Sequence, residues 1–234
     1  MKAILTTLAT SEIAPHCAEF VENKLAYARY RNYDFYCGHQ HDQDWAPAWE
    51  KLRILNMFLH QDYDFVIWAD MDSAIMNYTV PATQLIFDNE WMGAVKEFTL
   101  PIDEACLWFY SHICTCLMVI RVCDASKEFF KHVDDIRLKS DHWDHPWEQE
   151  AINNALKEPE RNYGGVRQWQ PVEIGGGWPA PTDEGYTGWH IRADGGMRGW
   201  CPGEFLFHFG GVGLPWEIRR REFVEKYQKQ IILG

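Results

Sequence analysis

Apolar residues fall along this chain in two rhythms. Short unbroken apolar runs alternate with longer stretches in which apolar positions recur every three or four residues. Lys2 to Leu8 reads as a first strand. From Ser11 to Tyr30 the residues Ile13, Cys17, Phe20, Val21, Leu25 and Ala28 share one helical face, with Ser11 as the expected N-cap. Tyr33 to Cys37 follows as a second strand. This βαβ opening predicts a parallel, doubly wound sheet. A helix is expected to start at Asp44 to Pro47, with Trp49, Leu52, Leu55 and Leu59 as its apolar stripe and Lys51 and Arg53 off it. Phe65 to Ala69 is an unbroken apolar run rich in β-branched and aromatic residues, the pattern of a strand buried on both faces. A short helix is expected over Tyr78 to Asn89, and strands over Trp91 to Glu97 and Thr115 to Val122. Ser126 to Leu138 is amphipathic through Phe129, Phe130, Val133 and Ile136. Asp144 to Lys157 carries Pro146 and acids in its first turn, a strong helix start, and Trp147, Ala151 and Ala155 form its stripe. Glu204 to Phe209 reads as a last strand and Pro215 to Ile232 as a C-terminal helix. Arg161 to Gly203 is rich in Gly and Trp without periodicity and is expected to form long functional loops. The whole predicts one α/β domain over residues 1–234, with a mostly parallel central sheet flanked by helices.

Composition narrows the function. With 47% hydrophobic and 24% charged residues, 234 residues are ample for one core. A net charge of −12 argues against a nucleic-acid partner or an anionic membrane surface. An anionic ligand would need its charge met locally, by a metal or a few basic groups. The 12 Trp offer flat apolar faces, which suit sugars and also fill cores. The 7 Cys are odd in number and show no disulfide framework. Cys114 and Cys116 open an apolar strand and read as buried thiols rather than zinc ligands. A reducing, cytosolic compartment is expected. The start MKAILTTLAT is too short and polar for a membrane span and poor as a signal peptide, and no other stretch spans a bilayer.

The chemistry concentrates where the Phe65–Ala69 strand stops. Asp70 and Asp72 follow it, one residue apart. A strand end in an open α/β sheet is where ligands bind. Two carboxylates this close repel, and a divalent cation relieves that repulsion. Oxygen ligands suit Mn²⁺ or Mg²⁺, which also bind diphosphate oxygens. His208 closes a second apolar strand ahead of Gly210-Gly211, glycines that let a ligand approach the backbone. Its imidazole can complete a metal shell or serve as a core residue. Glu148 and Gln149, at a helix start, can bind sugar hydroxyls or simply offset the helix dipole. The cluster Asp141, His142, Asp144 and His145 has irregular spacing and reads as a solvated turn.

Three separated segments, in order, resemble the metal-dependent GT-A glycosyltransferases, especially the glycogenin-like and plant/fungal α-galactosyl- and xylosyltransferase groups. The first, WEKLRILNMFLHQDYDFVIWADMDSAIMN, runs from Trp49 to Asn77 and resembles their W-x-K helix, turn and D-x-D strand. The second, HPWEQEAINNAL from His145, resembles their acidic/Gln helix start. The third, HFGGVGLPW from His208 to Trp216, resembles the ending H-F-x-G-x-x-K-P-W. The resemblance implies Mn²⁺ (with Mg²⁺ as the other candidate) held by Asp70, Asp72 and His208. It implies a nucleotide-binding edge at Thr6, Thr7 and Leu8, with Lys51, Asp70 and Gly211 also toward the cofactor, and sugar contacts from Glu148 and Gln149. One position departs: the family's diphosphate-binding lysine is Leu214 here. That charge then falls to the metal, to Lys51, or to an arginine such as Arg192 or Arg198.

The implied activity is Mn²⁺-dependent transfer of a sugar from a nucleotide-sugar donor, UDP-linked, to a hydroxyl of a glycan or glycoconjugate acceptor. Trp169, Trp178, Trp189 and Trp200 would cover the donor. An inverting course needs a carboxylate base, for which Asp144 or Glu148 could serve; a retaining course leaves none obvious. Two other classes share some of these features. A metal-dependent sugar nucleotidyltransferase also uses paired aspartates but cleaves at the α-phosphate. A non-catalytic carbohydrate-binding protein would explain the tryptophans but not the D-x-D strand.

Overall fold

The computed structural model describes residues 1–40, 44–96, 113–139, 147–158, 161, 163–169, 204–209 and 215–233. A six-stranded sheet has the order β2-β1-β3-β6-β5-β7, built from β1 (Ala3–Leu8), β2 (Asp34–Gly38), β3 (Phe65–Ala69), β5 (Met92–Lys96), β6 (Ile113–Arg121) and β7 (Val166–Trp169). β1 pairs in parallel with both β2 and β3, and β5 in parallel with β7. β6 runs antiparallel to both its neighbours, so it alone opposes the direction of the other strands. The sheet is therefore mainly parallel, as the βαβ opening predicts. Along β3, alternate side chains go to opposite faces. Val66 and Trp68 pack with α2 (Glu50–Leu59), α3 (Asp124–Arg137) and α4 (Trp147–Lys157), while Phe65, Ile67 and Ala69 join Tyr27 and Ala28 of α1 (Ala18–Arg31). Both faces are covered, which is why this strand is apolar without a break.

A second, two-stranded ladder pairs β4 (Ser73–Ile75) antiparallel with β8 (Leu206–His208), with Ser73 opposite His208. The last apolar strand of the sequence thus leaves the main sheet and joins the segment just past Asp70 and Asp72.

Several boundaries differ from the hydrophobic pattern, for local reasons. A helix begun at Ser11 would place Pro15, which has no N–H, where a donor to Ser11 is needed. The chain instead makes a 3₁₀ turn at Ala14–His16 and starts α1 after Cys17. α1 ends at Asn32, which is left-handed at φ 55° and sends its N–H back to Ala28 and Arg29. The expected helix over 78–89 shrinks to one 3₁₀ turn, Ala82–Gln84. Tyr27 takes the backbone groups there: its hydroxyl donates to Val80 O and accepts from Ala82 N. The stretch expected as pure loop contains β7, and Trp169 is core rather than a cover over a ligand. Its ring is buried and its indole N–H donates to Leu85 O at 2.8 Å. Gly93 makes room for that ring, since a Cβ there would lie 2.2 Å from Trp169 Cζ2. The C-terminal helix is shorter than expected. α5 (Trp216–Glu222) passes into a wide turn, Phe223–Tyr227, and then a 3₁₀ turn, Gln228–Gln230. Trp178, Trp189 and Trp200 lie outside the described residues.

Candidate active site

The site is built where β3 ends. Asp70 N–H donates to Cys116 O at 2.8 Å, the last bond tying this chain to β6. The chain then turns at once. Ser73 N–H and its hydroxyl both donate to Asp70 O, at 3.1 and 2.7 Å. This turn presents Asp70 and Asp72, and α1 fastens it from below. The fully buried Lys24 ammonium donates to Met71 O at 3.3 Å, to Phe20 O and to Ser73 O. Burial pushes its pKa down to about 8, against the opposing charges of Asp72 and Asp70. Asn23, one residue earlier, exchanges two bonds with Ile75. On the other side Phe209 N–H donates to Asp72 O at 2.7 Å, which holds His208 beside the turn.

Each carboxylate has cationic partners. Asp70 Oδ1 receives the Trp68 indole N–H at 2.5 Å and the Lys51 ammonium at 3.0 Å. The same ammonium lies 2.6 Å from Glu148 Oε1 and 2.9 Å from Thr115 Oγ1. Lys51, although it lies off the apolar stripe of α2, is therefore buried. The burial is tolerable because two carboxylates face it. Burial alone would lower its pKa, but Asp70 and Glu148 outweigh that and hold it above its ordinary value. Asp72 meets His208 Nε2 at 3.3 Å and Arg219 Nη1 at 2.9 Å. Burial disfavours its ionisation, yet His208, Arg219 and Lys24 hold its carboxyl well below the usual carboxylate range. For His208 burial would lower the pKa, and the Asp72 carboxylate raises it to about 9.

The structure brings most of the sequence-selected residues together. Asp70, Asp72 and His208 place three donor atoms within 4.8 Å of one another. Lys51 and Glu148 share the same centre. Gln149 Oε1 accepts from Thr115 N–H at 3.2 Å, so it lies beside that centre. At the end of β1 the picture is mixed. Thr6 turns its hydroxyl into the sheet, donating to Ile67 O at 2.9 Å. Thr7 Oγ1 is buried with no hydrogen-bond partner among the described residues, and Leu8 is half-buried against the core. Asp144, Gly211, Leu214, Arg192 and Arg198 lie outside the described residues, as do Asp141, His142 and His145.

Two residues that the sequence pattern did not single out belong to the site. Lys24 falls four residues after Phe20 on the buried face of α1, and a lone lysine on an apolar stripe was the available signal. Arg219 sits in the run Arg219-Arg220-Arg221, where one arginine turns inward to Asp72. Nothing in the run itself marks which one.

Two carboxylates and an imidazole at this separation fit a divalent cation of the Mn²⁺ or Mg²⁺ kind. Asp70, Asp72 and His208, at the end of β3, are the residues that could hold such a cation. Among the described residues, no helix is long and apolar enough to cross a membrane.

Comparison with known proteins bears on the fold. Residues 5–105 match the model of the galactosyl transferase GMA12/MNN10 family. That segment begins within β1 and contains α1, β2, α2, β3 and the D-x-D turn. No curated protein matches the chain in sequence. Among solved structures, a glycosyltransferase involved in glycosylation of the major capsid of PBCV-1 superposes with a TM-score of 0.65 at 14% identity, over 96% of this chain and 99% of that one. The galactosyltransferase LgtC, in complex with donor and acceptor sugar analogs, superposes with a TM-score of 0.59 at 14% identity, over 99% and 97% of the two chains. The glycosyltransferase GlyE of Streptococcus pneumoniae TIGR4 reaches 0.52 at 9% identity, over 100% of this chain and 65% of its own. The chain has the fold of the GT-A glycosyltransferases, and with the family match over residues 5–105 this supports a glycosyltransferase enzyme.

Proposed function

We propose that the chain transfers a sugar from a nucleotide-sugar donor, UDP-linked, to a hydroxyl of a glycan or glycoconjugate, with Mn²⁺ held by Asp70, Asp72 and His208. The observation that carries this reading is the pairing of β4 with β8, which sets His208 opposite Ser73 and beside both aspartates. When bound, the divalent cation would supply neutralising charge to the departing diphosphate. The remaining work falls to the chain's own side chains. Arg219, held by Asp72 at a partly buried position, provides permanent positive charge beside the donor, where Leu214 cannot. Lys51 is committed to Asp70 and Glu148, so it orients the Asp70 carboxylate instead of contacting phosphate itself. Glu148 and Gln149 then face the donor sugar from the start of α4. In this reading Thr6, Thr7 and Leu8 form the nucleotide edge, Gly211 also belongs to the cofactor side, and an inverting course would take Asp144 or Glu148 as the acceptor base.

The test is donor binding. UDP affinity, measured by calorimetry, should depend on Mn²⁺ and vanish in Asp72→Ala while the circular dichroism spectrum stays unchanged. Equal UDP affinity in EDTA and in Mn²⁺ would sink the proposal. Turnover of a UDP-sugar should release UDP; release of pyrophosphate from UTP and a sugar 1-phosphate would instead assign the chain to nucleotidyl transfer. We also place the protein in a reducing, cytosolic compartment, supported by the thiols Cys17, Cys37, Cys116 and Cys123. Thiol titration of protein purified without oxidant should find them unpaired.

A further inference from the structure

His208 belongs to two groups of donors. Beside Asp70 and Asp72, the thiols of Cys114 and Cys116 and the imidazole of His208 also lie within 4.8 Å of one another. The sequence spacing C-x-C gives no hint of this, because the third donor comes from β8. Cys114 and Cys116 are alternate residues of β6. Their strand is held against the site by the bond from Asp70 N–H to Cys116 O. The pairing of β6 with β5 is irregular at this point: Ala94 faces Met118 but Val95 faces Cys114. The extra residues on β6, Thr115 to Leu117, form a local bulge that carries Cys116, with Cys114 at the point where the pairing resumes, and bulges re-aim side chains next to active sites.

We propose that Cys114, Cys116 and His208 form a binding site for a thiophilic divalent cation, zinc being the natural occupant, and that this site competes with the Asp70/Asp72 site for His208. Two thiolates and an imidazole select zinc over Mn²⁺ or Mg²⁺, which favour oxygen. Tetrahedral zinc needs bonds of about 2.3 Å to sulfur and about 2.0–2.1 Å to nitrogen, which sets neighbouring donors roughly 3.5–3.8 Å apart. Small side-chain movements close the present group to that geometry. Binding releases one proton from each thiol and takes the imidazole neutral, so the cation with two thiolates is a neutral unit, suited to a site where Cys116 is 3% exposed. Three protein donors leave a fourth position for water or for an aspartate oxygen, the arrangement of an open zinc site. One imidazole nitrogen cannot serve both cations. Zinc would therefore withdraw His208 from the Mn²⁺ set, acting as a brake on sugar transfer. This last consequence rests on the function proposed above; the cysteine site does not.

The experiment uses the whole chain, reduced and freed of metal. Titration with Co²⁺ should give one equivalent of sulfur-to-cobalt charge-transfer absorption in the near ultraviolet, which zinc abolishes by displacement. The band should disappear in Cys114→Ser/Cys116→Ser and persist in Cys17→Ser and Cys37→Ser. Cys116→Ser should weaken zinc by roughly tenfold or more, the range that loss of even an outer partner of a metal ligand produces, while leaving Mn²⁺-dependent UDP binding intact. In the unmodified protein, zinc should slow alkylation of Cys114 and Cys116 but not of Cys37, read by mass spectrometry, so the test survives a variant that misfolds. Absence of the thiolate band at stoichiometric Co²⁺, or a band untouched by the double substitution, overturns the proposal. A normal band in a protein whose UDP binding ignores Mn²⁺ upholds the cysteine site and instead fails the function proposed for the aspartates.

Discussion

Replacing Lys51 by Met isolates the ion network at the floor of the site. The methionine keeps most of the aliphatic stem and removes the ammonium. In the folded protein that leaves Asp70 and Glu148, previously 3.0 and 2.6 Å from one cation, facing each other without it. Removing one partner of a buried pair costs about 3–5 kcal/mol, because the remaining charge has lost its counterion but not its burial. The two carboxylates share this loss unequally. The Glu148 side chain is 7% exposed and has little water to turn to, whereas Asp70 is 26% exposed and recovers part of its hydration. The lower half of the range, about 3–4 kcal/mol, is therefore expected. For a chain of this size each kcal/mol moves the midpoint by about 2–4 °C, so metal-free Lys51→Met should melt roughly 6–16 °C lower. Adding Glu148→Gln should return part of the loss, since the second carboxylate no longer needs an ion. The coupling between the two changes should be about 0.5–3 kcal/mol in a double-mutant cycle by urea denaturation. A loss below about 1 kcal/mol for Lys51→Met, or additive behaviour of the pair, would refute the argument that this lysine is held by both acids.

Metal affinity should depend on pH through His208, whose pKa is raised from 6.5 to about 9 against the pull of burial by the Asp72 carboxylate. A raised pKa means that the His208–Asp72 pair stabilises the metal-free protein fully below pH 6.5 and loses that contribution as pH climbs to about 9. Ligation needs the neutral ring, so Mn²⁺ affinity should rise by about tenfold per pH unit across the same window; a flat calorimetric profile would contradict the assignment. Gly93→Ala should destabilise by about 1–3 kcal/mol in urea melts, because the added carbon meets Trp169 at 2.2 Å and Ile86 at 2.5 Å; a loss within error would mean the ring has somewhere else to go. Glu148→Gln and Gln149→Ala should bind UDP with Mn²⁺ nearly normally yet slow single-turnover transfer by about a hundred- to thousandfold, and near-wild-type rates would reduce both residues to helix-dipole partners.

What the sequence made legible followed from how local its cause was. β3 was readable because a strand covered on both faces needs an unbroken apolar run, and its termination by Asp70 and Asp72 was readable because acids do not belong in such a run. α2, α3 and α4 announced themselves by their stripes. Pairings between distant segments were not readable. Nothing in Glu204–Phe209 says that its strand will leave the main sheet for Ser73–Ile75, yet that choice makes His208 a neighbour of Asp72. The burial of Lys51 was hidden for the same reason: a lysine beside an apolar stripe looks solvated until Asp70 and Glu148 arrive from elsewhere. Trp169 was misread because a short strand inside a Gly/Trp-rich stretch has too few residues to show a period, so its role in the core appeared only once Gly93 opened a place for it. Lys24 and Arg219 complete the pattern, each a cation whose purpose lies in carboxylates or carbonyls far along the chain.

The ladder of β4 with β8 also fixes when the centre can exist during folding. Its two strands lie in opposite halves of the sequence, and Ser73 meets His208 only after almost the whole chain has been gathered. The pairings β1–β2, β1–β3 and β3–β6 close much shorter loops and are favoured to form first. A chain that has built only this part of the sheet already displays Asp70 and Asp72 but has no His208 beside them. A cation that requires all three donors therefore binds only the completed fold, and cannot trap the half-built sheet on the way there.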